Sequence, residues 1–324
     1  MKSLHGPALG RWLRAAALAL AASLPLSAQA MPYSALYVFG DSLSDNGNAY
    51  AATGHAVPGS PDYYQGRFTN GEVAAELLAR QMGVTSHNFA YGGAQTGSGN
   101  VIPGLPGLAT EVGAYLGSAP SAPSDALFFV WAGANDFIFG LPADPAAAIN
   151  ASVGNIANAI AQLAIGAGAQ HFFVPSLPNV GRTPLVAGMG PDAQFGAALF
   201  SLAFNQALAV ALDSLESSLG IDIIGFDTFG YIEQVANDPA LYGLSDVVGR
   251  CFSGTVLSAG VACGDPGGYL FWDDVHPTAT VHALLARAMA VQLEVPEPAA
   301  LALFLIGLAG LAARRQMPSL SRRL

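Results

Sequence analysis

Apolar and polar positions follow one another along the chain in two patterns, short apolar runs and longer amphipathic stretches. The apolar runs, rich in β-branched and aromatic residues, are typical of strands buried on both faces of a sheet. They predict five strands, at 35–40, 84–90, 126–133, 171–176 and 221–227. The amphipathic stretches have the period of an α-helix and predict helices at 71–82, 145–168, 193–220 and 278–294.

Strands that alternate with helices indicate a parallel sheet with helices packed on both faces. Stretches rich in Gly and Pro at 51–62, 97–108 and 238–270 are predicted to be loops. The sequence has neither an internal repeat nor a linker between two halves, so residues 31–294 are expected to form one α/β domain. Ligands of such a sheet bind beyond the carboxyl ends of its strands, and functional residues are expected there.

The first thirty residues have a pattern of their own. A basic lead containing Lys2, Arg11 and Arg14 is followed by an apolar run and by Ala-Gln-Ala, which ends at Ala30. This order is typical of a secretory signal peptide. An N-terminal membrane anchor is the weaker interpretation, because the apolar run is too short to span a bilayer.

Residues 295–324 also differ from the rest of the chain. A Pro-Glu-Pro motif precedes an apolar stretch at 299–313 and a basic pair, Arg314 and Arg315. The apolar stretch would be roughly 22 Å long as a helix, which is short for a bilayer span. The order of these parts resembles the PEP-CTERM sorting tail of Gram-negative bacteria, although a plain membrane anchor is the alternative.

That resemblance implies an exported protein, at the cell surface or outer membrane or in the extracellular matrix. It also implies processing by a signal peptidase and by a sorting protease that cuts near the motif. Until that cut, the apolar segment at 299–313 would associate transiently with the membrane.

The net charge of residues 31–294 limits the classes of molecule that this part of the chain can bind. Residues 31–294 contain five arginines, no lysine and 21 acidic residues, which gives a formal net charge of −16. An acidic domain with scattered arginines lacks the basic surface that nucleic acids require, and anionic lipid surfaces repel it. An uncharged or zwitterionic substrate is therefore expected.

The chain has two cysteines, Cys251 and Cys263. Because export places them in an oxidising compartment, they are predicted to form a disulfide. Two thiols without a nearby histidine cluster do not make a four-ligand metal site, so no metal is expected.

Four short motifs carry the candidate chemistry. They are Gly-Asp-Ser at 40–42, Gly-Gly at 92–93, Gly-Ala-Asn-Asp at 133–136 and Asp-Asp-Val-His at 273–276. The first three each follow a predicted strand, so they fall on the same edge of a parallel sheet. The fourth directly precedes the last predicted helix.

A serine hydroxyl is a poor nucleophile unless a base lies beside it, and imidazole titrates near neutrality. His276 is the histidine after residue 30 that has a carboxylate three residues before it in a short loop. The pattern predicts Ser42 as nucleophile and His276 as its base. Asp273 and Asp274 both lie close enough to orient the imidazole.

In this order, the four motifs resemble the blocks of the GDSL or SGNH hydrolases, and the sequences at 39–48 and 271–278 are most like the lipase/acylhydrolase branch. The resemblance implies a flavodoxin-like three-layer α/β/α fold with a central five-stranded parallel sheet. It also selects Asp273, through the family's Asp-x-x-His spacing, as the third member of a Ser42–His276–Asp273 triad.

The oxyanion of the tetrahedral intermediate needs hydrogen-bond donors. The expected donors are the backbone N–H groups of Ser42 and Gly92 and the side-chain amide of Asn135, with Gly93 as the alternative to Gly92. No metal or organic cofactor is expected.

These expectations combine into an exported serine esterase or lipase that hydrolyses lipid or aryl acyl esters through an acyl-enzyme. A polysaccharide O-deacetylase is the enzymatic alternative, suggested by the association of such tails with exopolysaccharide. A non-catalytic surface or matrix protein built on a hydrolase fold is the alternative outside enzymes, and its expected sign, a missing motif, is not seen.

Overall fold

The computed structural model describes residues 33–59, 61–118, 121–138, 140 and 142–293. All of them belong to one unit, Met31–Val295. The signal peptide expected at 1–30 and the sorting tail expected at 295–324 lie outside the described residues.

Strands and helices alternate along this unit, as the sequence predicts. The strands are β1 (Ala35–Gly40), β2 (Thr85–Asn88), β3 (Leu127–Trp131), β4 (His171–Pro175), β5 (Asp222–Phe226), β6 (Asp246–Arg250) and β7 (Tyr269–Phe271). The helices are α1 (Asn48–Ala52), α2 (Ala74–Met82), α3 (Leu108–Ser118), α4 (Pro145–Ala167), α5 (Pro184–Ala187), α6 (Pro191–Leu219), α7 (Thr228–Asn237) and α8 (Ala279–Gln292).

The first five strands form one parallel sheet in the order β2-β1-β3-β4-β5. This is the flavodoxin-like order. The prediction of a five-stranded parallel sheet in an α/β/α fold is therefore confirmed. β6 and β7 form a separate two-stranded sheet.

Alternate residues of the central strands pack on opposite layers of helices, because successive side chains of a strand point to opposite faces. Phe128 and Val130 of β3 pack with the buried faces of α3, α4 and α6. Leu127, Phe129 and Trp131 pack with those of α2, α7 and α8. All five residues of β3 are buried, since β3 is the central strand.

The prediction that all five strands are buried on both faces is wrong for the two edge strands. Residues of β2 alternate between exposed and half-buried, and β5 is mostly exposed or half-buried. Helices α3 and α7 were not predicted. The predicted loop at 238–270 contains β6, whose polar ends and internal glycine hide its strand character.

Helices α4 and α6 are long and apolar enough to cross a bilayer by length and composition. Each buries one side against the sheet, through residues such as Ile156 and Phe204. We therefore interpret both as core helices of the domain.

The sheet has its switch point between β1 and β3, because the chain leaves β1 toward β2 on one side and returns to β3 on the other. A crevice opens there at the carboxyl ends of the strands. Gly40 of β1 lies opposite Trp131 of β3 at this edge. The polypeptide that follows each of them supplies the candidate site.

Candidate active site

Ser42 lies in a tight turn at the carboxyl end of β1. The turn is closed by the N–H of Asp45, which donates to the carbonyl oxygen of Asp41 at 3.0 Å. Gly40 has φ +144°, and a Cβ atom there would lie 2.0 Å from the carbonyl oxygen of Trp131. Glycine at position 40 thus allows the ends of β1 and β3 to approach each other, and the turn carries Ser42 into the crevice.

His276 reaches Ser42 from the loop between β7 and α8. The Trp272 N–H donates to the His276 carbonyl oxygen at 2.8 Å, which folds the loop back on itself. The imidazole Nε2 lies 2.8 Å from Ser42 Oγ. Both side chains are buried, so the pair is largely shielded from bulk water.

Asp273 faces the other imidazole nitrogen, with its two oxygens 2.8 and 2.9 Å from His276 Nδ1. It also accepts the backbone N–H groups of Val275 and His276 and the hydroxyl of Tyr63. Burial raises the pKa of this carboxyl, but the charge and hydrogen bonds of His276 and the hydrogen bonds of Tyr63 and Val275 outweigh it and hold the pKa below the ordinary value. An ionised Asp273 fixes the proton on Nδ1 and leaves the Nε2 lone pair for Ser42.

Asp274, the alternative partner, points elsewhere. Its carboxylate forms an ion pair with Arg250 of β6, and its backbone carbonyl accepts the N–H of Leu185. The structure therefore brings Asp273, and not Asp274, to the imidazole.

Asn135 follows β3 and lines the same pocket as Ser42 and His276. Its side-chain Nδ2 donates to the carbonyl oxygen of Ala94 at 3.1 Å. A primary amide has two N–H donors, so this bond orients the group and leaves a second donor.

The expected donor at Gly92 must be corrected. The Gly92 N–H donates to Asp45 Oδ2 at 2.7 Å, so this donor is already taken. Gly93, the alternative left open by the sequence, lines the pocket. Within the described part of the chain, the N–H groups of Ser42 and Gly93 have no hydrogen-bond acceptor.

Gly93 also has a conformation that requires glycine. Its φ is +79°, and a Cβ atom there would lie 2.5 Å from Asn100 Oδ1 and 2.8 Å from Val101 Cγ2. A side chain at this position would displace the loop that carries the N–H group. The structure thus leaves the N–H groups of Ser42 and Gly93 and the Asn135 amide as the candidate oxyanion donors.

Buried carboxyl groups hold the loops that carry these donors. Asp45 accepts four backbone N–H groups, including that of Gly92, and burial nevertheless raises its pKa to about 6. Glu111 of α3 accepts the N–H groups of Gly40 and Tyr91, and burial raises its pKa well above the ordinary value. Glu111 thereby links the strand before Ser42 to the loop before Gly93.

The pocket beside Ser42 is a cavity of about 290 Å³ with mainly apolar walls. Those walls contain the apolar side chains Phe68, Val101, Ile102, Ile138, Val180, Leu185, Val256 and Val275. A cavity of this kind accommodates a hydrocarbon or aromatic group next to the serine.

A disulfide joins Cys251 and Cys263, as the sequence predicts, with 4.9 Å between the Cα atoms. The loop that it closes contributes Thr255 and Val256 to the pocket wall. Among the residues that the structure describes, no group of three or more His, Cys, Asp or Glu side chains is arranged to hold a metal ion.

The sequence does not predict the roles of two residues at the site, Tyr63 and Glu111. Tyr63 belongs to none of the four motifs, yet it donates to Asp273. Glu111 also lies outside these motifs. The available signal was a single acidic residue within the otherwise uncharged stretch 97–118.

The other described histidines lie outside the site. Nδ1 of His282 accepts the N–H of Ala74 at 3.1 Å, and burial, followed by the nearby His276, lowers its pKa to about 3. It is therefore neutral and structural. The rest pack against tyrosine rings or pair with an aspartate at the surface; they are His55, His87 and His171.

Comparison with known proteins agrees with this geometry. Residues 36–289 match the family model of the GDSL-like Lipase/Acylhydrolase, and residues 294–316 match the PEP-CTERM protein-sorting motif. The first match covers most of the chain.

Three relatives illustrate the range of similar proteins. A phosphatidylcholine-sterol acyltransferase of Aeromonas hydrophila is 28% identical over 81% of this chain and 90% of the relative. An acetylesterase of Thermothelomyces thermophilus is 29% identical over 87% of this chain and 97% of the relative. Esterase EstA of Pseudomonas putida is 30% identical over 83% of this chain, which spans 48% of that longer protein.

Proposed function

The chain belongs to the GDSL-like lipase/acylhydrolase family, and from that premise we propose that it hydrolyses carboxylic esters through a Ser42–His276–Asp273 triad and an acyl-enzyme. The observation that carries the proposal is the distance of 2.8 Å between Ser42 Oγ and His276 Nε2. The ionised Asp273 on the opposite side of the ring supports it, because it presents the basic nitrogen to the serine.

The reaction has two halves. Ser42 Oγ attacks the ester carbonyl while its proton moves to His276 Nε2, and a tetrahedral intermediate forms. The intermediate collapses, the alcohol leaves with the proton from Nε2, and the acyl group remains on Ser42. A water molecule then attacks the acyl-enzyme, with His276 as base, and releases the carboxylic acid and free Ser42.

The N–H groups of Ser42 and Gly93 and the Asn135 amide are the proposed oxyanion donors. All three residues line one pocket beside the nucleophile. Loss of one such donor typically costs about 3–4 kcal/mol of transition-state stabilisation.

The walls of the pocket favour an apolar acyl or aryl group over a lone acetyl group. A cavity of about 290 Å³ lined by Ile102, Ile138 and Val256 offers far more apolar contact than two carbons use. Removal of an acetyl group is the second candidate, because one relative is named an acetylesterase, and with the sorting tail the acetyl group would belong to a surface polysaccharide.

The PEP-CTERM match indicates export and surface sorting in a Gram-negative bacterium. We infer that residues 1–30 are removed by a signal peptidase and that a sorting protease cuts near residue 295. The hydrolase domain, 31–294, would then act at the outer membrane or in the extracellular matrix.

The test is turnover of p-nitrophenyl acetate, butyrate and palmitate by purified protein, with labelling by a fluorophosphonate. Ser42→Ala is expected to lose both turnover and label, by about a thousandfold or more. Ser214→Ala, at an exposed position of α6, is the matched control and should keep both. Label on another residue, or equal turnover by Ser42→Ala, would refute the triad. Turnover confined to the acetate would favour the deacetylase.

A further inference from the structure

Large apolar side chains in the segments that line the pocket, or next to them in the chain, are exposed to solvent. Met189 is 56% exposed, Phe195 67%, Leu257 73% and Val261 75%. Val101, which also lines the pocket wall, is 38% exposed. We call these five residues the apolar rim.

Each rim segment is continuous with a wall of the pocket. Leu257 directly follows the wall residue Val256 within the disulfide-closed loop. Met189 follows α5, whose Leu185 is also a wall residue. The rim therefore extends the apolar lining of the pocket outward to the surface.

Phe195 belongs to the same edge of the domain. Helix α6 follows β4, so its first turns lie at the carboxyl end of the sheet. There it packs on the loop after β4, since a Cβ atom at Gly181 would lie 2.2 Å from the Gln194 carbonyl oxygen. That loop contributes Val180 to the pocket.

The rim segments are almost free of charge. Residues 97–108, 183–203 and 251–263 contain a single ionisable side chain, Asp192, apart from the two disulfide-bonded cysteines. The arginines that flank them, Arg182 and Arg250, are paired with Glu233 and Asp274. Residues 31–294 carry a net charge of −16, so an anionic lipid surface repels the domain.

We propose that the apolar rim docks the enzyme on a zwitterionic lipid surface, from which the pocket takes its acyl ester. The inference rests on the proposed function, because an apolar acyl pocket needs an apolar source for its substrate. Exposed apolar side chains lose contact with water when they enter the headgroup region. The acyl chain then passes from lipid to pocket along a continuous apolar path.

The site-specific test places a tryptophan on the rim. Leu257→Trp is compared with Ile165→Trp, whose position is equally exposed but lies at the end of α4, on the opposite edge of the sheet. Vesicles of brominated phosphatidylcholine should quench the added emission of Leu257→Trp at least about twofold more strongly than that of Ile165→Trp. Equal quenching, or stronger quenching by brominated phosphatidylglycerol, would overturn the proposal.

A second measurement follows function. Leu257→Ser/Val261→Ser should turn over an ester carried in phosphatidylcholine vesicles about tenfold more slowly than the parent, with unchanged turnover of soluble p-nitrophenyl butyrate. The matched control is Ile165→Ser/Val291→Ser, with the same exposure at the far edge. An unchanged rate on vesicles would overturn the proposal. So would a rim-dependent dimer in sedimentation, since the rim would then serve self-association.

The quenching experiment does not depend on catalysis. Ser42→Ala combined with Leu257→Trp should be quenched as strongly as Leu257→Trp alone. A failure of the triad and a failure of the lipid docking are therefore distinguishable.

Discussion

The phenolic hydroxyl of Tyr63 donates a hydrogen bond to Oδ2 of Asp273, with 2.6 Å between the two oxygens. The same carboxylate oxygen lies 2.8 Å from His276 Nδ1. The Tyr63 ring packs edge-on against Phe252 and Trp272, so the hydroxyl has a fixed direction. Tyr63 therefore holds a carboxylate oxygen that also faces the imidazole.

Tyr63→Phe should lower kcat about tenfold and leave KM unchanged, because a hydrogen bond to a charged group is worth about 1.5–3 kcal/mol. The ring and its packing remain. The prediction is checked by measuring kcat and KM with soluble p-nitrophenyl butyrate and stability by a thermal unfolding curve. Tyr64→Phe, at the exposed neighbouring position, is the control. If kcat were unchanged, or if it fell only together with a large loss of stability, a positioning role would be refuted.

The fold could be predicted largely from the sequence because the central strands are continuous apolar runs. Leu127–Trp131 is a continuous apolar run, and the structure buries every residue of it. The edge strand Thr85–Asn88 is more polar, since one side of an edge strand has no neighbour. The sequence predicts this strand correctly, but its residues are exposed or half-buried where burial on both faces is expected. Helix α3 was not predicted because Gly, Ala and Thr weaken its apolar pattern.

The candidate site was predictable as far as chemistry depends on residue type and order. Ser42, His276 and Asn135 were located by their motifs, and they line one pocket. The choice between Gly92 and Gly93 depends on which N–H a distant carboxylate, Asp45, engages, and adjacent glycines do not show that. Contacts between residues more than two hundred positions apart, such as Tyr63 with Asp273, likewise have no local signature.

The buried carboxyl of Asp41 is expected to make the stability of the fold depend on pH. Burial raises its pKa from 3.8 to about 7. The folded protein therefore keeps a proton that the unfolded chain releases near pH 4. This contribution to stability is fully present below about pH 4 and is lost as pH rises through 7, with a slope of up to about 1.4 kcal/mol per pH unit.

Asp41→Asn removes that titration and can still accept the Leu43 N–H. The free energy of unfolding should then fall less steeply between pH 4 and 7 than in the parent, measured by urea denaturation. The slope will not vanish, because Asp45 titrates with the same sign. Asp213→Asn, at an exposed position of α6, is the control. A slope as steep as that of the parent would contradict the assignment.

Glu111 predicts a coupled loss of stability and turnover. Its two oxygens accept the N–H groups of Gly40 and Tyr91 at 2.9 and 3.1 Å. Glu111→Gln retains one acceptor oxygen, so one buried N–H loses its partner at a cost of about 1–3 kcal/mol. Because these two N–H groups precede Ser42 and Gly93 by two residues, kcat should fall while KM changes little.

The control for Glu111 is Glu216→Gln. The Glu216 carboxylate also accepts a backbone N–H, that of Ile223 at 3.3 Å, but at an exposed position far from the pocket. Its kcat should equal that of the parent. Equal kcat in Glu111→Gln, with stability lost, would show that Glu111 supports the fold and not the arrangement of the donors.

The disulfide predicts a link between the loop and acyl-chain preference. Cys251 and Cys263 are separated by 12 positions, and a loop of that size is worth on the order of 3 kcal/mol. Cys251→Ser/Cys263→Ser should lower the unfolding midpoint. Because Val256 is a pocket wall within this loop, the KM for p-nitrophenyl butyrate should rise severalfold, and the KM for the acetate, which needs less of the wall, should rise less.

Parent protein treated with a reductant should reproduce both effects. A lower midpoint with an unchanged ratio of the two KM values would limit the disulfide to stability, and the wall would then be held by other contacts of the loop.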